Sequence, residues 1–100
     1  MNDKYMIDET LKLCKEIRKF GYKCRIKNTP NDEYINTMYI YIYTKKIGDN
    51  VLEYIDTEVV SLLTEKGFTS LGVYYKTSDN YSKHVFSKIY NLENGGDKNE

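Results

Sequence analysis

The chain has 100 residues, which is enough for one compact core and not for two. Its composition is 40% hydrophobic and 30% charged, which is ordinary for a globular protein and argues against a disordered chain. Fifteen basic and fifteen acidic residues give a net charge of zero, so no overall field draws the chain to nucleic acid or to an anionic membrane. Any such attraction has to come from local segregation of charge.

The sequence also carries information about location. No apolar run approaches the roughly 18 residues that a membrane span needs, and the first residues lack the apolar core of a signal peptide. We therefore expect a cytoplasmic protein whose two cysteines, Cys14 and Cys24, are reduced thiols. The absence of alanine and the abundance of Lys, Asn, Ile and Tyr indicate AT-rich coding sequence, and so a low-GC bacterium or its phage, with the host cytoplasm or the virion as location.

The first half of the chain predicts one helix followed by two strands. Residues 3–20 carry apolar side chains at helical spacing, and Gly21 follows them as a residue that readily ends a helix. The predicted buried stripe of this helix consists of Ile7, Leu11, Cys14 and Ile17. Residues 22–28 alternate between apolar and basic side chains, which predicts a half-buried strand with a basic outer face. A turn over residues 28–32 then leads into a second strand, residues 35–46.

The second strand has the clearest pattern in the sequence. Its side chains alternate between two sets, and successive side chains of a strand point to opposite faces of a sheet. One set is Met38, Ile40, Ile42 and Thr44, and the other is Tyr39, Tyr41, Tyr43 and Lys45. One face of this strand is therefore predicted to lie in the core and the other to carry three tyrosines.

The second half opens with another amphipathic helix. Asn50 and Glu53 resemble a capping box at the start of a helix over residues 51–66, which Gly67 ends. The side chains that this helix is predicted to bury are Val51, Leu52, Ile55, Val59, Leu62 and Leu63. Because the pattern matches that of the first helix, the second helix is expected to cover the same sheet.

Two further strands complete the predicted domain. They span residues 68–77 and 81–92 and are joined by a short polar turn at residues 78–80. The polar, Gly-rich residues 94–100 have nothing to bury and are predicted to form a flexible tail. The single domain is accordingly assigned to residues 1–93.

Each half thus has one helix and two strands, too little to bury its own apolar face. The two halves together predict a two-layer α+β sandwich in the order α-β-β-α-β-β, with a four-stranded, mainly antiparallel sheet and both helices on one face. This is the ferredoxin-like order shifted cyclically by one strand. The size and order of elements resemble those of small phage neck and tail-terminator subunits, which implies a ring-forming assembly subunit and assigns no functional residue.

Alternation predicts which side chains lie on the face that the helices leave uncovered. The first two strands contribute Lys23, Arg25, Lys27, Tyr39, Tyr41, Tyr43 and Lys45. In the last strand Val85 and Ile89 are predicted to point inward. Its predicted outer residues are then His84, Phe86, Lys88 and Tyr90. The third strand allows two phases or a bulge, and either phase places Tyr74 or Tyr75 on the uncovered face.

No acidic residue lies in any predicted strand, so the uncovered face is predicted to be basic and aromatic. Tyrosines are rigid interface anchors, and lysines match an acidic surface. We therefore predict a non-enzymatic protein-interaction module, acting either as an assembly subunit, and hence a homo-oligomer, or as an inhibitor or adaptor of another protein. The predicted partner-binding residues are Tyr39, Tyr41, Tyr43, Lys45, Phe86, Lys88, Tyr90, Lys23, Arg25 and Lys27.

Two other interpretations stay open. A single-stranded nucleic-acid-binding protein would stack bases on the same rings and meet phosphates with the same lysines. The Gly-punctuated aromatic pattern of RNA-recognition domains is missing, however, and the chain has only two arginines. The other interpretation is that tyrosine simply suits strands and that lysine on a half-exposed sheet discourages edge pairing.

Catalytic and metal chemistry has little support in the sequence. The single histidine, His84, would need Cys14 or Cys24 beside it to form a nucleophile pair, and both cysteines are predicted core residues. Two separated thiols and one imidazole do not make a closed zinc site. No Gly-rich phosphate loop precedes either helix. We expect neither enzyme activity nor a cofactor or metal.

Overall fold

The structure is a computed structural model that describes residues 3–45, 55–75 and 81–91. Within these residues the chain forms two α-helices and four β-strands. In chain order they are α1 (Asp3–Lys19), β1 (Lys23–Pro30), β2 (Ile35–Lys45), α2 (Thr57–Glu65), β3 (Thr69–Tyr75) and β4 (Tyr81–Asn91). The predicted α+β class, with two helices and four antiparallel strands in an open sheet, is confirmed.

The four strands pair antiparallel in the order β1-β2-β4-β3, so that β2 and β4 are central and β1 and β3 are the edges. Directly opposed residues of antiparallel strands point to the same face, and the register therefore assigns each side chain to a face. Both helices contribute to one apolar cluster with Met38, Ile40 and Ile42 of β2. The two helices thus cover the same face of the sheet.

Met38, Ile40 and Ile42 are fully buried, as their alternation with the tyrosines predicts. The predicted stripe of α1 is wrong at Leu11, which is 38% exposed, while the neighbouring Thr10 is fully buried. The Thr10 hydroxyl donates a hydrogen bond to the Met6 carbonyl oxygen at 2.9 Å. Because this bond satisfies the hydroxyl, Thr10 is buried at little cost, and the buried face is rotated away from Leu11.

The start of the second helix differs from the prediction. Asp56 has an extended backbone and α2 begins after it, although the sequence pattern favours helix from residue 51. The Asp56 N–H donates to the Tyr22 hydroxyl oxygen at 2.9 Å, a contact between residues far apart in sequence. This bond holds Asp56 outside the helix. The predicted cap and the first predicted helical residues, 50–54, lie outside the described residues.

Both helices end at the glycines that the sequence indicates. Gly21 and Gly67 have φ values of 98° and 89°, a region that side chains disfavour and glycine adopts readily. The N–H of Phe68 donates to the Leu63 carbonyl oxygen at 2.9 Å, which closes the end of α2. Each glycine therefore lets the chain leave the helix and enter the following strand.

The strands depart from prediction at two places. The first strand continues to Pro30 because Thr29 and Pro30 still pair with β2. In β3 the register shifts between Ser70 and Gly72, so a bulge leaves Leu71 as the extra residue. Ser70 faces the helices before the bulge and Tyr74 faces away from them after it. The predicted turn at residues 78–80 and the tail at residues 94–100 lie outside the described residues.

Candidate functional site

The face of the sheet opposite the helices, which we call the open face, carries cations and tyrosines from all four strands. The register places five cations on it: Lys23, Arg25, Lys27, Lys45 and Lys83. It also places five tyrosines there: Tyr39, Tyr41, Tyr43, Tyr74 and Tyr81. The four described strands contain no aspartate or glutamate. The open face is therefore positively charged although the whole chain is neutral.

Half of the open face consists of two parallel rows. Along β1 the outward residues are the cations, and along β2 they are the tyrosines. The opposed pairs are Lys23 with Tyr43, Arg25 with Tyr41, and Lys27 with Tyr39. Each ring thus has a cation beside it, at the spacing of about 5 Å that separates neighbouring strands.

The tyrosine rings are held by contacts on the open face itself. The Tyr39 and Tyr41 rings stack with centroids 6.2 Å apart and planes at 14°. The Lys83 Nζ lies 4.9 Å from the centre of the Tyr41 ring, a cation–π contact. Partial burial, with the neighbouring Tyr39 and Tyr43, raises the pKa of the Tyr41 hydroxyl. The contacts of these rings limit their movement, so that they lose little further freedom when a partner binds.

The other half of the open face, on β4 and β3, is more apolar. Ile89 and Leu71 are 69% and 52% exposed, and Tyr74 and Tyr81 are exposed to a similar extent. Val85, by contrast, is buried at the base of this half. Leu71 and Tyr74 lie together at the β3 edge, and exposed apolar side chains that lie together are typical of an interaction surface.

A groove of about 460 Å³ crosses the open face from one edge strand to the other. Its lining residues are Lys27 and Thr29 of β1, Tyr39 and Tyr41 of β2, Lys83 and Val85 of β4, and Leu71 and Tyr74 of β3. Its volume falls in the range of roughly 300 to 1,000 Å³ that is usual for ligand pockets. The groove is therefore large enough to hold part of a binding partner.

The structure divides the predicted partner-binding residues between the two faces of the sheet. The seven residues predicted from β1 and β2 lie together on the open face. The prediction for β4 is wrong: the residues expected on the open face, namely His84, Phe86, Lys88 and Tyr90, point to the helices. They do so because they oppose Ile42, Ile40, Met38 and Asn36, the inward residues of β2.

The outward residues of β4 are therefore not those predicted from the sequence. The observed outward residues are Tyr81, Lys83, Val85, Ser87, Ile89 and Asn91. One signal favours the observed phase: the ring pair Phe86 and Tyr90 has more area to bury than the aliphatic pair Val85 and Ile89. Compared with the predicted partner-binding residues, the open face therefore lacks Lys88, Phe86 and Tyr90. It carries Lys83 and Tyr81 instead.

Lys88 and Tyr90 are held on the helix side by Glu9 of α1. The Tyr90 hydroxyl donates a short hydrogen bond to Glu9 Oε1. The Lys88 Nζ lies 3.4 Å from the same oxygen and 4.6 Å from the centre of the Tyr90 ring. Burial and the Glu9 carboxylate raise the pKa of Tyr90. Burial alone would raise the pKa of Glu9, but the Tyr90 hydrogen bond and the Lys88 charge together lower it.

Replacing Glu9 by glutamine is expected to lower the free energy of unfolding by about 1 kcal/mol at neutral pH, because Glu9 is partly exposed and its charged hydrogen bonds are lost. The folded-state pKa lies below its ordinary value, so the stabilisation is present above that value and disappears as the pH falls through the folded pKa. Urea denaturation between about pH 7 and pH 3 measures the difference between the two proteins.

The control for this prediction is Glu16→Gln. Glu16 pairs with Lys19 at 3.1 Å, but its side chain is 54% exposed, and its loss should change stability by less than about 0.5 kcal/mol. An effect of Glu9→Gln that is no larger than that of Glu16→Gln, or one that grows as the pH falls, would contradict the assignment.

The two cysteines and the histidine are all buried. Cys24, Ile42 and His84 lie on one rung of the sheet, all pointing to the helices, with Ile42 between the other two. The thiols of Cys24 and Cys14 are in contact. Burial, and then the Cys14 thiol, raise the pKa of Cys24, and burial lowers the pKa of His84. Both shifts favour the neutral forms of these two side chains, as expected for groups in an apolar core.

Neither cysteine is expected to react with an aromatic disulfide reagent in the folded protein, and both should react in urea. Cys14 and Cys24 are 1% and 2% exposed, so the reagent reaches neither thiol, and the raised pKa of Cys24 leaves it little thiolate, the reactive form. The absorbance of the released thiolate measures the rate, which should be at least about 100-fold lower in the native state. A cysteine placed at the exposed Ser61 is the positive control; native cysteines that react as fast as that one would contradict the packing.

Among the described residues, no three His, Cys, Asp or Glu side chains come together as a metal-binding group would require. None of the helices formed by those residues is both long and apolar enough to cross a membrane.

Fold and site together define a small α+β protein with an open, basic and aromatic sheet face. Comparisons with protein-family models, curated proteins and solved structures each find no match.

Proposed function

We propose that this chain is a non-enzymatic protein-interaction module that binds an acidic protein surface through its open face. The observation that carries the proposal is the composition of that face: five cations, five tyrosines and no acid, with exposed Leu71 and Ile89 beside them. Cations supply attraction to an acidic partner, and ordered aromatic and aliphatic side chains supply the contact area.

The edges of the sheet support the face as the binding surface. On β1 the Arg18 Nη2 donates to the Cys24 carbonyl oxygen at 2.7 Å, and Pro30, at the end of this strand, has no N–H to donate. On β3 the bulge at Leu71 interrupts the edge. These features of the two edge strands hinder the pairing of a further strand with either edge, so a partner is better accommodated on the open face.

Charge also bears on the form of the interaction. Two open faces that packed on each other would bring ten cations together without an acid from any described strand. Such contact is unfavourable, which supports an inhibitor or adaptor of another protein over an assembly built face to face. The relation to the ferredoxin-like order, the phage or low-GC bacterial origin and the cytoplasmic location are further parts of this proposal, supported by the element order and the composition.

The second candidate is a single-stranded nucleic-acid-binding protein. The row of cations beside the row of tyrosines favours it, because stacking is worth roughly 1 to 3 kcal/mol per base and phosphates would lie beside the rings. Two observations weigh against it. Lys83 already occupies a face of the Tyr41 ring, and the exposed Leu71 and Ile89 offer nothing to a phosphate backbone.

The test starts from a random peptide display library selected on the immobilised full chain. Acidic peptides with apolar residues are the expected products. Titrating one of them into protein labelled with ¹³C in the tyrosine rings should shift the signals of Tyr39, Tyr41 and Tyr43 and leave Tyr90, on the helix side, unchanged. Enriched peptides that are neutral or basic, or that shift Tyr90 alone, would overturn the proposal.

A parallel titration addresses the second candidate. A fluorescent thymidine oligonucleotide of about 20 bases is followed by anisotropy at low salt, where phosphate contacts are strongest. A flat titration removes the nucleic-acid candidate. Micromolar, steeply salt-dependent binding without any enrichment of acidic peptides would replace the protein-interaction proposal with it.

A further inference from the structure

The groove across the open face has two chemically different ends. At the β1 edge it is lined by Lys27 and Thr29, and at the β3 edge by Leu71 and Tyr74. We infer that the groove holds an extended segment of the partner in which an apolar side chain is followed, a few residues away, by a carboxylate. This inference rests on the proposed function and specifies the part of the partner that is recognised.

The bulge shapes the apolar end. Leu71, the extra residue, lies on the open side of the sheet, and the shift of register after it brings Tyr74 to the same side, where the two line the groove together. Gly72 lies opposite Val85 and brings no side chain to the groove, and a Cβ at that position would meet nothing within 4 Å. Val85 is consequently the floor of a recess between Leu71 and the Tyr41 ring. A branched or aromatic side chain placed in this recess would bury apolar surface on three sides.

The cationic end lies two strands away from this recess. Lys27 opposes Tyr39 and is exposed, and Thr29 adds a hydroxyl next to it. Lys83 stands between the two ends with its Nζ over the Tyr41 ring. A carboxylate near Lys27 therefore meets an unobstructed ammonium group, and a second one near Lys83 would compete with the ring for the cation.

The dimensions favour an extended segment over a helix. The groove spans three strand spacings of about 4.8 Å, or roughly 14 Å. An extended chain covers that distance with about four residues, at roughly 3.3 Å each. A helix with its side chains is about 10 to 12 Å wide and would rest on the tyrosine rings without entering the recess over Val85.

Two synthetic peptides of about twelve residues test the inference. Both are Gly/Ser chains that carry a run of glutamates, and one of them has a phenylalanine about four residues before the first glutamate. The other has serine in its place. The phenylalanine peptide is expected to bind about 10-fold more tightly to the full chain, as measured by fluorescence anisotropy.

Variants of the protein locate the contact. Leu71→Ser should weaken binding of the phenylalanine peptide about 10-fold and change binding of the serine peptide less than about 2-fold. Lys27→Ser should weaken both peptides about equally. The matched controls, Leu11→Ser and Lys15→Ser, remove an exposed apolar side chain and an exposed cation from α1, away from the open face, and both should change affinity less than about 2-fold.

The outcomes separate this inference from the proposed function. If both peptides shift the open-face tyrosines with equal affinity, or if Leu71→Ser costs no more than Leu11→Ser, the groove is not the recognition site and only this inference fails. If no acidic peptide, synthetic or selected, shifts those tyrosines, the proposed function fails with it. Circular dichroism of Leu71→Ser confirms the fold, since Leu71 is half exposed.

Discussion

Phe86→Ala is expected to lower the free energy of unfolding by about 3 to 5 kcal/mol, whereas Ile89→Ala should lower it by at most about 1 kcal/mol, the range of strand preference. Phe86 is 5% exposed and lies beneath the helices opposite Ile40, while Ile89 is 69% exposed on the open face. Truncation of a large core side chain leaves a cavity, and truncation of an exposed one does not. Urea denaturation followed by circular dichroism measures both values.

This pair of variants tests the register of β4 directly. The interpretation from sequence places Ile89 in the core and Phe86 outside, and it predicts the opposite ranking. Equal losses, or a larger loss for Ile89→Ala, would contradict the described packing. Should Phe86→Ala fail to fold, Phe86→Leu keeps most of the side-chain volume, and its loss should still exceed that of Ile89→Ala.

The sequence predicted β2 well because the alternation there is unambiguous. Tyrosines, whose hydroxyls can remain in contact with water, alternate with Met38, Ile40 and Ile42. Only one assignment of the two faces buries the apolar set. The glycines after both helices are equally clear, since Gly21 and Gly67 have backbone conformations that favour glycine. Where a local pattern has one solution, the described structure adopts it.

The prediction failed in β4 because its two faces are nearly equal in apolar content. Val85 and Ile89 alternate with Phe86 and Tyr90, and a change of one residue exchanges the faces completely. The larger area of the Phe86 and Tyr90 rings favours the observed phase, and a residue distant in sequence adds to it: Glu9 accepts the Tyr90 hydrogen bond and pairs with Lys88. No local pattern contains this second contribution, because the polar ends of these inward side chains are satisfied only once α1 has packed on the sheet.

The candidate site was likewise predicted only where alternation within a single strand determines it. The two rows on β1 and β2 come from alternation alone, and the sequence predicts all seven of their residues. The groove needs more: the bulge that presents Tyr74 beside Leu71, the phase of β4 that presents Val85, and the order of strands that places β3 at the edge opposite β1. Each of these is a property of pairing between strands, which a single sequence specifies only weakly.

Replacing Tyr39, Tyr41 and Tyr43 together by serine is expected to weaken binding of a selected acidic peptide by at least about 100-fold. The three rings form the centre of the open face, each beside a cation of β1. Their loss removes contact area. It also frees Lys83 from the Tyr41 ring, so that fixing the lysine side chain on binding costs additional conformational entropy. Isothermal titration calorimetry of the full chain measures the affinity.

The fold should survive these three substitutions, because the rings point away from the helices and each costs at most about 1 kcal/mol of strand preference. Replacing the same residues by phenylalanine keeps the rings and should retain most of the affinity, which separates ring contact from hydroxyl contact. The matched control is Tyr5→Ser with Tyr34→Ser, two exposed tyrosines outside the open face. Affinity that is unchanged in the folded triple serine variant, or lost equally in the control, would show that a partner binds elsewhere on the molecule.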